Sequence, residues 1–367
     1  MKPAPYRCCV ATLALLLAFA GAVSRAMEPV RVSEDGKGFV LKPSGKRFVP
    51  WGHNYACNGL EHGGRIDWVR VAADFDDLRG MGANVARIHL QVPHFMDGPD
   101  RANPEAHAEL KRLLKLAEKK GVYLDVTGLA SYDVHRRATW YDSLPDGERW
   151  KAQERFWEAI ANTCAKSPAV FCYDLANEPT ATGKRPEGWY MGRMGDFEFC
   201  QRLTLDQPDR PGDDIFREWT KRMIASVRKH EKTRMITLGM LPFPGPAYEA
   251  AGRQLDFISP HLYPKSGKVA EEIAMLRRFD IGKPIVIEET FPLSCGVEDE
   301  RGFLLQSRGI AAGWIGQYPS DRPGELRELK RAGRINIGQS MYLGWIELFE
   351  QLGPEMTADI VGRPVRQ

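Results

Sequence analysis

Two glutamates stand at the ends of short apolar runs: Glu178 in AVFCYDLANEP (169–179) and Glu289 in KPIVIEET (283–290). A charge at the tip of an apolar strand is costly unless it faces a wet pocket. Two such carboxylates facing each other could cleave a glycosidic bond. One acid protonates the leaving oxygen, while one carboxylate attacks or activates water. The eight histidines are His53, His62, His89, His94, His107, His135, His230 and His261. They form neither HExxH nor HxH, so no metal site is expected.

What must position the two glutamates is a series of short apolar runs alternating with amphipathic segments. A hairpin over 29–52 feeds a first buried strand, and strands follow at 84–90, 122–127, 169–179, 234–240, 255–264, 283–290 and 309–318. Helical spacing appears at 66–81, where Trp68, Val71, Phe75 and Leu78 share a face, and at 104–120, 148–166, 213–230 and 269–279. A last helix from 324 breaks near Gly333. Continuously apolar strands need cover on both faces. Eight of them, most followed by a helix, predict an α/β fold of the (β/α)8 TIM-barrel type. The alternative, an open doubly wound sheet, commonly carries a GxGxxG turn after its first strand, and none occurs here.

In a barrel the chemistry lies at the carboxyl ends of the strands. Those ends carry His53-Asn54-Tyr55, Arg87 with His89, Asp125-Val126-Thr127, Asn177-Glu178, His261-Leu262-Tyr263, Glu288-Glu289, and Trp314 ahead of Gln317-Tyr318.

The chain has 367 residues, 43% hydrophobic, 10% aromatic and 27% charged, enough apolar material for a large core. Its first 26 residues place Lys2 and Arg7 before an apolar run at 10–20, with Ser24-Arg25-Ala26 as a cleavage site. That is a secretory signal pattern, so residues 27–367 are expected to form a single catalytic domain, secreted or periplasmic. The competing reading is an uncleaved N-terminal anchor. Without the leader the chain holds 48 basic and 48 acidic residues, which gives no excess for a nucleic-acid backbone. No membrane contact is expected after signal cleavage, and a monomer is expected. The five remaining cysteines, Cys57, Cys164, Cys172, Cys200 and Cys295, lack any CxxC. Export would permit one or two disulfides.

On these residues the chain resembles glycoside hydrolase family 5, cellulase-like enzymes of the clan of retaining (β/α)8 glycosidases. Asn84-Val85-Ala86-Arg87-Ile88 resembles the family's second-strand arginine segment, and Asn177-Glu178-Pro179 its acid/base motif. His261-Leu262-Tyr263 is similar to its sixth-strand segment, and Lys283-Pro284-Ile285-Val286-Ile287-Glu288-Glu289 to its nucleophile strand.

The resemblance implies double displacement on a β-linked oligo- or polysaccharide, cellulase- or mannanase-like, with no cofactor. Glu178 would be general acid and then base, and Glu289 the nucleophile. Asn177 would bind the sugar 2-OH, Arg87 keep the nucleophile ionised, Tyr263 hydrogen-bond it, and His261 line the site. Tyr55 and Trp314 join the candidate substrate-binding set, although Trp314 lies mid-strand where the family tends to place a tryptophan at the tip. The alternatives are a carbohydrate-binding pseudoenzyme on the same barrel, and a metal-dependent barrel hydrolase.

Three further expectations follow. Strand alternation sends Glu288 toward the surrounding helices if Glu289 faces the mouth. The acid role asks for a raised pKa at Glu178. The stretch 180–212, with Trp189, Tyr190, Phe197 and Phe199, is expected to wall the substrate cleft.

Overall fold

Alternation along the second strand shows how the barrel is built. Val85, Arg87 and His89 point inward, while Ala86, Ile88 and Leu90 pack outward against helices. The computed structural model describes residues 27–56, 65–181, 188–207 and 209–358. Its main sheet has eight strands: β1 (Trp51–Asn54), β2 (Val85–Gln91), β3 (Tyr123–Ala130), β4 (Val170–Asn177), β5 (Met235–Met240), β6 (Ser259–Pro260), β7 (Val286–Ile287) and β8 (Gly313–Gln317). Each pairs in parallel with its neighbour from β6 back to β1, then β1 with β8 and β8 with β7. Bridges Ile258–Ile285 and His261–Glu289 join β6 to β7 and complete the ring. The expected (β/α)8 barrel is the fold observed.

The helices of seven or more residues are α1 (Trp68–Gly80), α2 (Pro104–Lys120), α3 (Asp146–Cys164), α4 (Gly212–His230), α5 (Pro246–Gly252), α6 (Val269–Arg277), α7 (Val297–Ser307), α8 (Pro323–Arg331) and α9 (Ile337–Thr357). Helix α2 shows why they form where they do. The Asn103 side chain accepts the amides of Glu105 and Ala106, Pro104 opens the first turn, and Lys119 and Lys120 lie in the last. Gly121 closes it in the left-handed conformation at φ 68°. Leu110, Leu113, Leu114 and Ala117 form its buried stripe. Replacing the Asn103 cap by alanine would cost about 1 kcal/mol.

Helix α5 lies in a stretch where no helix was expected. β6 and β7 are shorter than their apolar runs, and they meet each other through the isolated bridges Ile258–Ile285 and His261–Glu289. A small antiparallel sheet of Val30–Val32, Phe39–Leu41 and Arg47–Phe48 caps the opposite end. Phe39 meets Phe171 and Phe257 edge to face, with ring centroids 5.5 and 5.3 Å apart. That plug seals the barrel floor and leaves the mouth as the wet end. Among the described residues no helix is long and apolar enough to cross a membrane.

Candidate active site

Arg87 is the centre of the site. It is fully buried, and each of its nitrogens has a partner at the carboxyl ends of the strands. Nη1 donates to Asn54 Oδ1 at 2.8 Å and to Glu289 Oε1 at 2.7 Å. Nη2 donates to Asp174 Oδ2 at 2.7 Å and to Asn177 Oδ1 at 2.9 Å. A buried guanidinium survives only with such partners. Burial alone would lower its pKa, but Glu288, Asp174 and Glu289 hold it well above the ordinary value.

Two irregularities bring Asn177 and Glu178 inward together. Asp174 and Asn177 pair with Thr237 and Gly239, so β4 carries one extra residue between them. That bulge re-aims Asn177. Glu178 then adopts φ 51°, a left-handed conformation that costs an L-residue about 1–2 kcal/mol. Its amide donates to Gly239 O at 2.9 Å, which holds the turn. Gly239 itself must be glycine, since a Cβ there would lie 2.9 Å from both Arg87 Nη2 and His261 Nε2.

His261 stands between the two glutamates. Its Nδ1 is 2.9 Å from Glu178 Oε1 and 3.5 Å from Glu289 Oε2. Burial works against its charge, but Glu289 and Glu178 overcome that and raise its pKa to about 10. Tyr263 donates to Glu289 Oε2 at 2.6 Å, and burial together with the Glu289 charge keeps the phenol protonated. Gln317 Nε2 donates in turn to Tyr263 Oη at 3.2 Å. Burial would raise the Glu289 pKa, yet His261 and Arg87 bring it below the ordinary value. Carboxylate oxygens of Glu178 and Glu289 lie within 4.8 Å of each other.

Glu178, His261, Glu289, Arg87, Asn177 and Tyr263 therefore converge as expected. Tyr55 and Trp314 do not join them. Tyr55 donates to Asp74 of α1 at 2.9 Å and packs on Phe75, because its strand position faces the helices. Trp314 is buried on the same outer face, its indole donating to Ser307 Oγ of α7 at 2.8 Å.

Two further expectations are corrected. Glu288 points into the barrel below Glu289, 3.7 Å from Arg87 Nε and 3.8 Å from His261 Nε2, since regular alternation ends with β7 at Ile287. Burial and the nearby Asp174 and Asp125 charges hold its pKa well above the ordinary value. Glu178 lies below its ordinary pKa, not above it: burial pushes it up, but the His261 hydrogen bond and charge outweigh that.

Asn54 and His89, named among the strand ends but given no role, and Cys200, not named as part of the site, also belong to it. Asn54 donates to Glu288 O at 2.9 Å and Gly316 O at 3.0 Å, which ties β1 to β7 and β8. His89 contacts Tyr132 Oη at 2.7 Å and Asn54 Oδ1 at 3.2 Å, and burial with the Arg87 charge keeps it neutral. Its place two residues after Arg87 was the available signal for His89. Cys200, from the long segment after β4, reaches Glu178 Oε2 with Sγ at 3.0 Å. Nothing in its spacing marked it.

That segment flanks the acid/base side of the mouth through Cys200, and Trp189 and Tyr190 anchor it. The Trp189 indole donates to Asp142 O at 3.0 Å, and Arg137 lies 3.8 Å over the Tyr190 ring. Among the described cysteines, Cys164, Cys172, Cys200 and Cys295 are unpaired, while Cys57 and the leader lie outside the described residues. The described groups close enough to share a cation are Glu178, His261 and Glu289, and below them Asp125, Cys172 and Glu288. In the upper set Glu289 already accepts from Arg87 and Tyr263.

Comparison with known proteins adds a family. Residues 43–271 match the model of the cellulase family, glycosyl hydrolase family 5. No curated protein matches the sequence. Among solved structures, an exo-β-1,4-mannosidase from Opitutaceae bacterium strain TAV5 superposes with TM-score 0.68 at 15% identity, over 91% of this chain and 64% of that one. This chain thus spans just under two thirds of that protein. A β-mannanase from the blue mussel Mytilus edulis gives 0.57 at 15% identity over 90% and 97%. A β-glucanase from Saccharophagus degradans gives 0.59 at 14% over 90% and 94%. At these identities the structures establish the shared barrel.

Proposed function

The chain belongs to glycosyl hydrolase family 5, and from that premise we propose that it is a retaining β-glycoside hydrolase acting on β-linked glycans. The observation that carries the reading is the approach of Glu178 and Glu289 to within 4.8 Å across the mouth. Retaining enzymes hold their carboxyl groups about 5–5.5 Å apart, whereas inverting ones leave about 6.5–9.5 Å for a water.

The surroundings suit the division of labour. Glu289, below its ordinary pKa and oriented by Arg87 and Tyr263, is an ionised nucleophile. It attacks the anomeric carbon as the glycosidic C–O bond breaks, and the leaving oxygen takes a proton from Glu178. A water then attacks the glycosyl ester, losing a proton to Glu178 and releasing Glu289. Glu178 and His261 act as one unit, holding one proton between them at neutral pH. That proton can reside on Glu178 when the leaving group needs it, although the resting carboxyl is the more acidic partner.

β-Mannans and β-glucans head the substrate panel, because structures of both kinds of enzyme share the fold. Export to the periplasm or medium is part of the proposal and rests on the leader pattern of residues 1–26. N-terminal sequencing of exported protein checks it, with a start at Met27 expected. Hydrolysis of aryl β-glycosides and glycans, followed by NMR of the first-formed product, tests the reaction. An inverted anomer, or no turnover across the panel, would overturn it.

A further inference from the structure

We propose that Cys200 is a positioning residue for Glu178, its thiol holding Oε2 and setting how readily that carboxyl takes up a proton. The proposal rests on reading Glu178 as the acid/base. Both oxygens of Glu178 are occupied: His261 Nδ1 is 2.9 Å from Oε1, and Cys200 Sγ is 3.0 Å from Oε2. Oε1 faces His261 and shares its proton, so Oε2 is the oxygen left to another partner. Cys200 is the side chain that holds it.

The contact is built into the chain path. Cys200 is buried and holds φ 59°, a left-handed conformation facing the left-handed Glu178. Thr180 donates to Gln201 O at 2.9 Å and Met191 to Cys200 O at 3.1 Å, which pins the returning segment beside the Glu178–Pro179 turn. Non-glycine residues hold such a backbone only where their surroundings impose it.

A thiol suits the task because it is a weak donor and a weak acceptor. Beside ionised Glu178 it donates to Oε2. When Glu178 takes up the proton it shares with His261, the S–H can turn aside. Burial and the Glu178 charge push the thiol pKa up, so it stays protonated. The other charged or titratable groups acting on Glu178 are His261 and Arg87, with Glu289 across the mouth and Tyr248 of α5 donating to Pro179 O at 2.9 Å. None of these occupies Oε2.

The test follows Glu178 directly, by carbon-13 NMR of full-length protein labelled at glutamate Cδ. The resonance is assigned by its loss in Glu178→Gln. Removing a donor to the ionised form should raise the titration midpoint in Cys200→Ala by roughly half to one pH unit. Cys200→Ser, a stronger donor, should titrate at or below the wild type. Should Cys200→Ala not fold, Cys200→Gly, which tolerates the left-handed backbone, replaces it. An unmoved midpoint in the folded Ala or Gly variant, or a serine variant that follows alanine, overturns the proposal. Wild-type protein that hydrolyses no glycoside would instead overturn the glycosidase reading and leave the titration result standing.

Discussion

Glu288 and Glu289 are neighbours in the chain, and both carboxylates lie inside the barrel around the same guanidinium. Arg87 Nη1 is 2.7 Å from Glu289 Oε1, while Arg87 Nε is 3.7 Å from Glu288 Oε2. The two acids have opposite electrostatic fates. Glu289, beside His261 and Tyr263, is held in its charged form. Glu288, fully buried near Asp125 and Asp174, is pushed well above the ordinary carboxylate range.

Substitution should separate them. Glu289→Gly should lower turnover by on the order of a thousandfold or more, as loss of a nucleophile does. Azide should restore activity from the vacated face and give the α-glycosyl azide. Glu288→Gln keeps the shape of a side chain whose pKa is already pushed well above the ordinary value, and should stay within about tenfold of wild type, about 1.4 kcal/mol of barrier. Product analysis by NMR checks both. Azide rescue of Glu288→Gly with an active Glu289→Gly would reverse the assignment.

The Glu288 result also shows where sequence reasoning stops. Alternation holds along β2, which is regular from Val85 to His89 and turns Arg87 inward. The same rule failed past β7, where the bridges Ile258–Ile285 and His261–Glu289 leave one extra residue on the β7 side. It also could not foresee the extra residue in β4 that turns Asn177 inward. Tyr55 joined the candidate set from its place at a strand tip and Trp314 despite its mid-strand place, although their facing decides their role. The barrel was legible because eight apolar runs repeat one pattern. Cys200 was not, because a loop residue's position depends on tertiary contacts that leave no period in the sequence.

The pH profile of kcat/KM should be broad. Its acidic limb reports Glu289, which must be ionised and whose pKa is lowered by His261 and Arg87, so the limb lies on the acid side of the ordinary carboxylate range. Its alkaline limb reports loss of the proton shared by Glu178 and His261, with His261 raised to about 10. His261→Gln removes the cation that lowers both glutamates. The acidic limb should then rise and the alkaline limb fall, because burial alone raises a carboxyl pKa. An alkaline limb unchanged in His261→Gln would show that the proton is held elsewhere.

Arg87 should resist conservative exchange. Arg87→Lys keeps the charge but loses the fork that reaches Asn54, Glu289, Asp174 and Asn177 together. Arg87→Met leaves buried carboxylates unpaired and should cost about 3–5 kcal/mol of stability. Thermal unfolding should therefore rank wild type above lysine and lysine above methionine. The acidic limb of Arg87→Lys, which retains a cation, should lie closer to wild type than that of the methionine variant. A methionine variant as stable as wild type would mean the network contributes nothing to folding.

Gly239 offers the sharpest test that spacing, and not charge, organises the mouth. It carries no side chain, yet its backbone accepts the Glu178 amide at 2.9 Å and donates to Asp174 Oδ1 at 2.8 Å. A methyl group there would sit 2.9 Å from Arg87 Nη2 and 2.9 Å from His261 Nε2. Both side chains are buried and hydrogen-bonded, so neither can yield without moving the carboxylate it holds. Gly239→Ala should cost about 1–3 kcal/mol in stability, the usual penalty for overpacking a core. Displacing Arg87 should also raise the Glu289 pKa, since the guanidinium charge helps to lower it. The expected signature is lower kcat with an acidic limb moved upward, in a protein that still unfolds cooperatively. If Gly239→Ala keeps wild-type kcat and an unmoved acidic limb, the Arg87–Glu289 contact does not control the nucleophile's ionisation.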